Sequence, residues 1–314
     1  MVTLAEFAKL ETSPVNAGVI EEIIIADELM SLLQFKSFEG NAFLYNRELA
    51  LGASATHQVG DTWTDTEPTY TQKTASLSTL GVQHSLDQFI KQTRGSVNDQ
   101  KAVLLKQMAK SLGLELARLM IVGEPEATST HFEGLDSLVR SETRMMAMDD
   151  GNVDGPGAAE TELTIDRLDA MIDLVEGNVQ SLVMNRTMRR KLTSLARASG
   201  SGVMLGQMDM FGRQVMTYNG IPVVINQNIT NAEQYNDAGT WSSSTATTIF
   251  ALIHGEDEQG LTILHNGSIL TPEIQEIGIK ENKNEELFRM VMYLAPIVLS
   301  TKKIAALGGI DSAA

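Results

Sequence analysis

The chain has 314 residues, 43% of them hydrophobic, enough to bury a sizeable core divided between two lobes. It contains no cysteine, which excludes disulfides, thiolate nucleophiles and cysteine metal sites together. Twenty-four Lys and Arg against 40 Asp and Glu give a net charge of −16, which argues against phosphate binding as its main business.

No positively charged leader and no bilayer-length apolar run is visible, which predicts a soluble chain made in the cytoplasm, without a membrane partner. Residues 1–37 read as helical or loosely attached. Within them "NAGVIEEIIIADELMSLLQF" spaces Val19, Ile20, Ile23, Ile24, Leu29, Leu32 and Leu33 as an amphipathic helix would. "FEGNAFLYNREL" alternates as a short strand. "VGDTWTDTEPTYTQKTASLSTL", residues 59–80, then reads as a β-hairpin, because Thr62, Thr64, Thr69, Thr71, Thr74, Trp63 and Tyr70 all favour strands. Almost no aliphatic residue falls between Val59 and Leu77. A two-stranded ribbon without an apolar face is marginal in water, so this one is expected to lean on something outside its own fold. Leu80, Val82 and Leu86 bring the returning strand into a core only at its end.

Residues 96–122 carry the longest helical pattern, with Ser96 and Asp99 at its start and Gly123 and Pro125 as its stop. Leu105, Met108, Ala109, Leu112, Leu116, Leu119 and Met120 recur at helical spacing, on a rod about 40 Å long. From 127 to 162 the composition turns to Asp, Gly, Ser, Thr and Met, the pattern of a loop-rich connector. A second α/β unit follows: a helix over 164–176, the strand "QSLVM", and a helix over 186–198 capped by Asn185. "QVMTYNGIPVVI" is a hairpin turned at Asn219-Gly220. "TTIFALIHG" and "GLTILHNG" read as another strand pair. "ELFRMVMYLAPIVLS" and "KKIAALGG" read as two late strands, interrupted at Pro296. The fold class is α+β.

Residues with chemical potential form no catalytic constellation. His57, His84, His131, His254 and His265 are scattered, with no spacing that sets two imidazoles on one helix face, and His84 reads as a satisfied strand residue. There is no nucleophile elbow, Walker loop or dinucleotide fingerprint. No enzymatic role and no cofactor is expected. Asp150, Asn152 and Asp154 before Gly155 copy the first half of an EF-hand loop, but Thr161 stands where the bidentate glutamate belongs, between Glu160 and Glu162. A solvated acidic turn is the expectation there, with weak calcium binding as its rival. Arg189, Arg190, Lys191 and Arg197 form the densest basic patch. Without aromatic neighbours it reads as a solvated helix face that pairs with acidic residues of a neighbouring subunit. Met145, Met146 and Met148 read as adaptable packing.

The order of these parts resembles the major capsid proteins of tailed bacteriophages, the Hong Kong ninety-seven type fold shared with encapsulins. "GDTWTDTEPTYTQKTASLSTLGVQHSLDQF" resembles the family's extended E-loop with its return strand, and residues 96–122 its spine helix. "HFEGLDSL", "SLVMNRTMRRKL" and "NGIPVVINQNI" resemble the turn after the spine and two axial-domain segments. The resemblance implies an N-terminal arm over 1–48, an E-loop hairpin over 49–86 and a peripheral domain with the spine over 87–160. An axial domain over 161–272 and peripheral return strands over 273–314 complete it.

The function implied is a structural shell protein that assembles as hexamers and pentamers into an icosahedral capsid. It would enclose double-stranded DNA without binding it specifically, assembling in the host cytoplasm and residing in the virion. A separate scaffolding protein, a portal and a decoration protein are the implied partners. The alternative is an encapsulin shell around protein cargo, although "MVTLAEFAKLETSP" lacks that family's cargo-capturing helix. Trp63, Tyr70, Lys73, Arg189 and Arg190 are the expected subunit-contact residues. Some relatives cross-link a lysine to an asparagine. Lys73 with Asn282 or Asn284 imitates that pairing, but without a signature these read as solvent residues.

Overall fold

The computed structural model describes residues 29, 32–54, 56–63, 67–94, 100–125, 130–153, 160–198, 205–210, 213–235, 241–242, 245–266 and 273–313. The chain begins with β1 (Gln34–Ser37), β2 (Ala42–Ala50), β3 (Thr69–Ser76), β4 (Ser78–Asp87), α1 (Gln88–Arg94) and α2 (Gln100–Val122). Next come α3 (Leu135–Ser141), β5 (Met145–Ala147), α4 (Ile165–Asp173), β6 (Ser181–Met184), α5 (Arg186–Ala198), β7 (Leu205–Met210), β8 (Arg213–Tyr218) and β9 (Ile221–Ile225). The remainder is β10 (Gln234–Tyr235), β11 (Trp241–Ser242), β12 (Ala246–Leu252), β13 (Leu261–Asn266), β14 (Glu273–Ile279), β15 (Glu285–Val298) and β16 (Ile304–Asp311).

The 14-residue β15 organises a five-stranded sheet. It runs antiparallel to β4 along one edge, and to β14 and then β13 along the other, while β1 adds in parallel beside β13. Pro296 does not interrupt β15. It stands opposite Ile263, beyond Leu294, the last residue paired with β4, so its missing N–H takes nothing from that ladder.

A seven-stranded sheet in the order β5-β16-β12-β6-β9-β8-β7 forms the other body of the fold. Its β8–β9 turn is made by Asn219 (φ 48°) and Gly220 (φ 82°), the left-handed pair that a two-residue hairpin demands. The expected pairing of "TTIFALIHG" with "GLTILHNG" is not found. Every residue of β12 is buried and both its edges are taken, by β16 and β6, so β13 joins the five-stranded sheet instead. The two segments are linked by the bridge from His254 to Leu261 and by the turn in which the Gly260 N–H donates to the Gly255 carbonyl. The late strands also part company, β15 in one sheet and β16 in the other, so the boundary expected at 272/273 does not coincide with either sheet.

Helices α4 and α5 cover one face of the larger sheet, where Leu168, Met171, Met188 and Leu192 meet Leu182, Val223 and Ala251. On the opposite face Val183, Val224 and Phe250 join α2, α3 and the five-stranded sheet in a second core. A third cluster sets Leu104, Met108 and Leu112 of α2 against Leu86, Phe288 and Met290. In α2 it is Leu104 that is buried; Leu105 is half-buried and Ala109 exposed, so the apolar stripe is rotated slightly from the expected one. At 23 residues α2 is about 35 Å long. Its end is a close backbone contact: the Gly134 N–H donates to the Gly123 carbonyl (2.7 Å), and a Cβ on Gly123 would stand 2.5 Å from the Leu119 and Phe132 carbonyl oxygens.

Two more expectations change. The connector over 127–162 contains α3 and β5, with Leu135, Leu138, Val139, Met145, Met146 and Met148 all in the core; the short apolar runs are hidden in a polar composition. The expected N-terminal helix lies outside the described residues apart from Leu29, Leu32 and Leu33, of which Leu29 and Leu33 are buried. The Ser96 and Asp99 start of the long helix lies outside them as well. Among the described residues no helix is long and apolar enough to cross a membrane.

Candidate assembly surfaces

The ribbon is built from β2 and β3, so its outgoing strand is "AFLYNRELA" and the polar stretch after Val59 forms only its tip and return. Pairing puts Phe43, Tyr45 and Arg47 on one face with Ala75, Lys73 and Thr71, all half-buried. The other face carries Leu44, Asn46, Glu48, Tyr70, Gln72 and Thr74, all exposed. The sequence signal was thus incomplete, because the apolar row that seats the ribbon lies upstream of it. Phe38 packs edge-on to Phe43 (5.4 Å), Phe43 stacks on Tyr45 (5.8 Å), and the Arg47 guanidinium covers Tyr45 (5.3 Å).

Arg47 pins this base to the body. Its Nη1 pairs with Glu142 at the end of α3 (2.6 Å), its Nε donates to the Leu299 carbonyl (2.9 Å), and its Nη2 donates to the Val298 carbonyl. Both side chains of the pair are largely withdrawn from solvent, at 11% and 10% exposure, and Lys73 Nζ adds a longer contact to Glu142 (3.4 Å). Burial pushes the Tyr45 hydroxyl pKa up, and Arg47 beside it opposes that rise. Beyond this base no described residue covers the ribbon: Leu44 is 60% exposed, Tyr70 67% and Trp63 77%. At the tip Asp61 closes a turn onto Gln58, and Trp63 packs on His57 with ring centroids 4.0 Å apart.

Of the expected contact residues, Trp63 and Tyr70 are therefore on open surface, whereas Lys73 faces the body. Asn284 immediately precedes β15, and the Lys73–Glu142 contact sits by the far end of that strand. A 14-residue strand spans about 45 Å, so a Lys73 link to Asn282 or Asn284 would have to join two copies. Arg189 and Arg190 are exposed on α5, but Lys191 turns away and donates to the Asp311 carbonyl. Arg186, outside the expected patch, takes its place in a cleft with Arg189, Arg190 and Arg197. Helix α5 itself starts where Asn185 caps it, through the Met188 N–H (2.8 Å).

In the acidic loop, Asp150 accepts hydrogen bonds from the Asn152 backbone N–H (2.9 Å) and side-chain amide (2.6 Å). The Arg167 guanidinium lies against Gly151 and donates to the Asp149 carbonyl. The Arg167 cation therefore sits beside the turn. Asp154 lies outside the described residues, and among those described no group of three His, Asp or Glu could hold a metal ion.

One buried pair was invisible in the sequence, because its members are 73 residues apart. Ser181 Oγ lies 2.6 Å from His254 Nε2, and His254 Nδ1 has no partner. Burial depresses the imidazole pKa to about 4. Among the described residues no carboxylate orients the ring, and neither residue is exposed, so the pair lacks there the third member and the access that nucleophilic catalysis needs. Tyr218 donates to Asp169 (2.6 Å), which together with burial raises its pKa above the usual tyrosine range.

No family model matches the chain, and no curated protein matches its sequence. Solved structures do match. The holo-SrpI encapsulin complex of Synechococcus elongatus PCC 7942 superposes with a TM-score of 0.69 at 15% identity, over 100% of this chain and 98% of that one. The capsid of the cyanophage A-1(L) gives 0.64 at 15% identity, over 92% and 94%. The capsid of an empty GTA particle gives 0.64 at 16% identity, over 90% of each chain. Aligned with these shells over nine-tenths or more of its length, the chain has the Hong Kong ninety-seven type capsid fold.

Proposed function

We propose that this chain is the major capsid protein of a tailed bacteriophage, assembling as hexamers and pentamers into an icosahedral shell around double-stranded DNA. The observation that carries this reading is the β2–β3 ribbon. It is fixed at its base by Arg47 and leaves Leu44, Trp63 and Tyr70 bare, an arrangement that is satisfied when a neighbouring subunit covers it. In this reading Trp63, Tyr70, Arg189 and Arg190 are subunit contacts, and Lys73 steadies the ribbon base. A scaffolding protein, a portal and a decoration protein are its partners, and assembly takes place in the host cytoplasm. The role is structural rather than catalytic.

The likeness to the SrpI encapsulin over the whole chain supports a second reading, a compartment shell around protein cargo. Expression followed by electron microscopy and analysis of what co-purifies separates them. Closed shells that take up DNA in the presence of a phage portal support the capsid. Shells that retain one co-expressed host protein support the compartment, and a chain that stays a small oligomer under all assembly conditions overturns both.

A further inference from the structure

The face of the seven-stranded sheet that carries α4 and α5 presents two helices of opposite charge. Along α5, Arg186, Arg190 and Arg197 project away from buried Met188, Leu192 and Ala196, and Arg189 is exposed at the flank of that stripe. With Thr193 and Met216 of β8 they line an open cleft of about 460 Å³. The other arginines whose side chains are described are all bonded: Arg47, Arg118 and Arg140 to carboxylates, Arg144 and Arg167 to backbone carbonyls, Arg289 to Gln83. Among the described residues none of the four α5 guanidinium groups has a carboxylate partner. Three of them lie in the first half of the helix, whose first turn holds no acid, so they also oppose the helix dipole. In a chain of net charge −16, this cluster has no matching anion among the described residues and suits one supplied from outside.

Helix α4 is the counterpart. Asp166 and Asp173 are exposed and have no cationic partner among the described residues, and Glu162 is exposed just ahead of them. Its one arginine is turned to the Asp149 carbonyl and Asp169 is held by Tyr218, which leaves the outer side acidic. Asp166 and Asp173 are two helical turns apart, about 10.5 Å, and so are Arg190 and Arg197.

We propose that the arginine cleft of α5 in one copy takes the Asp166 and Asp173 face of α4 in a second copy. The basic and acidic patches are different surfaces, so the contact is head-to-tail, the kind that closes into rings when its rotation allows. The inference rests on the shell reading, which supplies many copies side by side.

Charge reversal tests it. Both Arg190→Glu with Arg197→Glu, and Asp166→Arg with Asp173→Arg, should raise the subunit concentration needed for assembly about tenfold or more. Combining all four substitutions in one chain should restore assembly. Circular dichroism and melting confirm that each variant is folded, and the milder Arg190→Gln with Arg197→Gln should weaken assembly in the same direction. Folded reversal variants that assemble like the wild type, or a folded combined variant that fails to recover, would overturn the inference while leaving the shell reading intact. Arginine variants that assemble normally but lose micromolar affinity for a DNA duplex would reassign the cleft to phosphate. A wild-type chain that never assembles would overturn the shell reading and this contact with it.

Discussion

Two antiparallel hairpins in this molecule differ in what holds them. The β8–β9 hairpin turns in two residues, and Tyr218, Val223 and Val224 are buried against helices and sheet of the same chain. The β2–β3 ribbon is joined by residues 51–68, is seated only at its base, and exposes Leu44 and Tyr70 on its outer face. Burial of apolar surface is the main source of stability, so the first hairpin is stabilised by its own fold. The second owes little to that fold beyond the Arg47 node. The contrast separates stability of the protomer from stability of an assembly.

Breaking the buried hairpin should have the largest effect. Tyr218→Ala removes a fully buried ring and leaves Asp169 without its donor, and is expected to destabilise the protomer by about 3–5 kcal/mol in urea titrations. Acid acts on the same sheet through His254. Its folded pKa of about 4 lies below the unfolded value of about 6.5, so the unfolded state binds the proton first. The stability is therefore fully present above pH 6.5 and is lost as pH falls towards 4, by about 3 kcal/mol from this residue. Urea midpoints at pH 7 and pH 4.5 should show that slope, and His254→Gln should flatten it.

The ribbon base comes next. Arg47→Met leaves the largely withdrawn Glu142 carboxylate with only Lys73 nearby, for an expected loss of about 1.5–3 kcal/mol, read as faster amide exchange in β2 and β3. By contrast, Leu44→Ala and Tyr70→Ala should shift protomer stability by no more than about 0.5 kcal/mol, because those side chains touch little in the chain. The smallest response is expected from ligands. Millimolar calcium should leave the melting temperature unchanged, since Arg167 already faces the Asp150 turn. A DNA duplex at about 0.15 M salt should show no measurable binding, given the net charge of −16.

What the sequence made legible followed local rules. The Asn219-Gly220 turn, the Asn185 cap and the α5 boundaries were readable because each depends on neighbouring residues. Strand partners were not, since β16 and β6 occupy both edges of β12 and leave β13 to the other sheet, and no local pattern encodes which edge is occupied. The ribbon was half legible. Its β-prone return strand and bare aromatics stood out, but the apolar row of Phe43 and Tyr45 that seats it belongs to a strand assigned to the N-terminal arm. The four-arginine cleft was blurred by sequence adjacency: Lys191 sits among the arginines in the chain but points to Asp311, whereas Arg186, at the start of the helix, completes the face.

The central claim is that the ribbon serves the assembly and not the protomer. Removing Gly60 to Lys73 and joining the flanking residues tests it most directly, because no described residue in that segment is buried. The account predicts a folded protomer, its melting temperature lowered only by the loss of the Lys73–Glu142 contact and the Thr69–Lys73 end of β3, that elutes as a small species under conditions where the full chain forms megadalton shells. Shells of normal size from the shortened chain would contradict it.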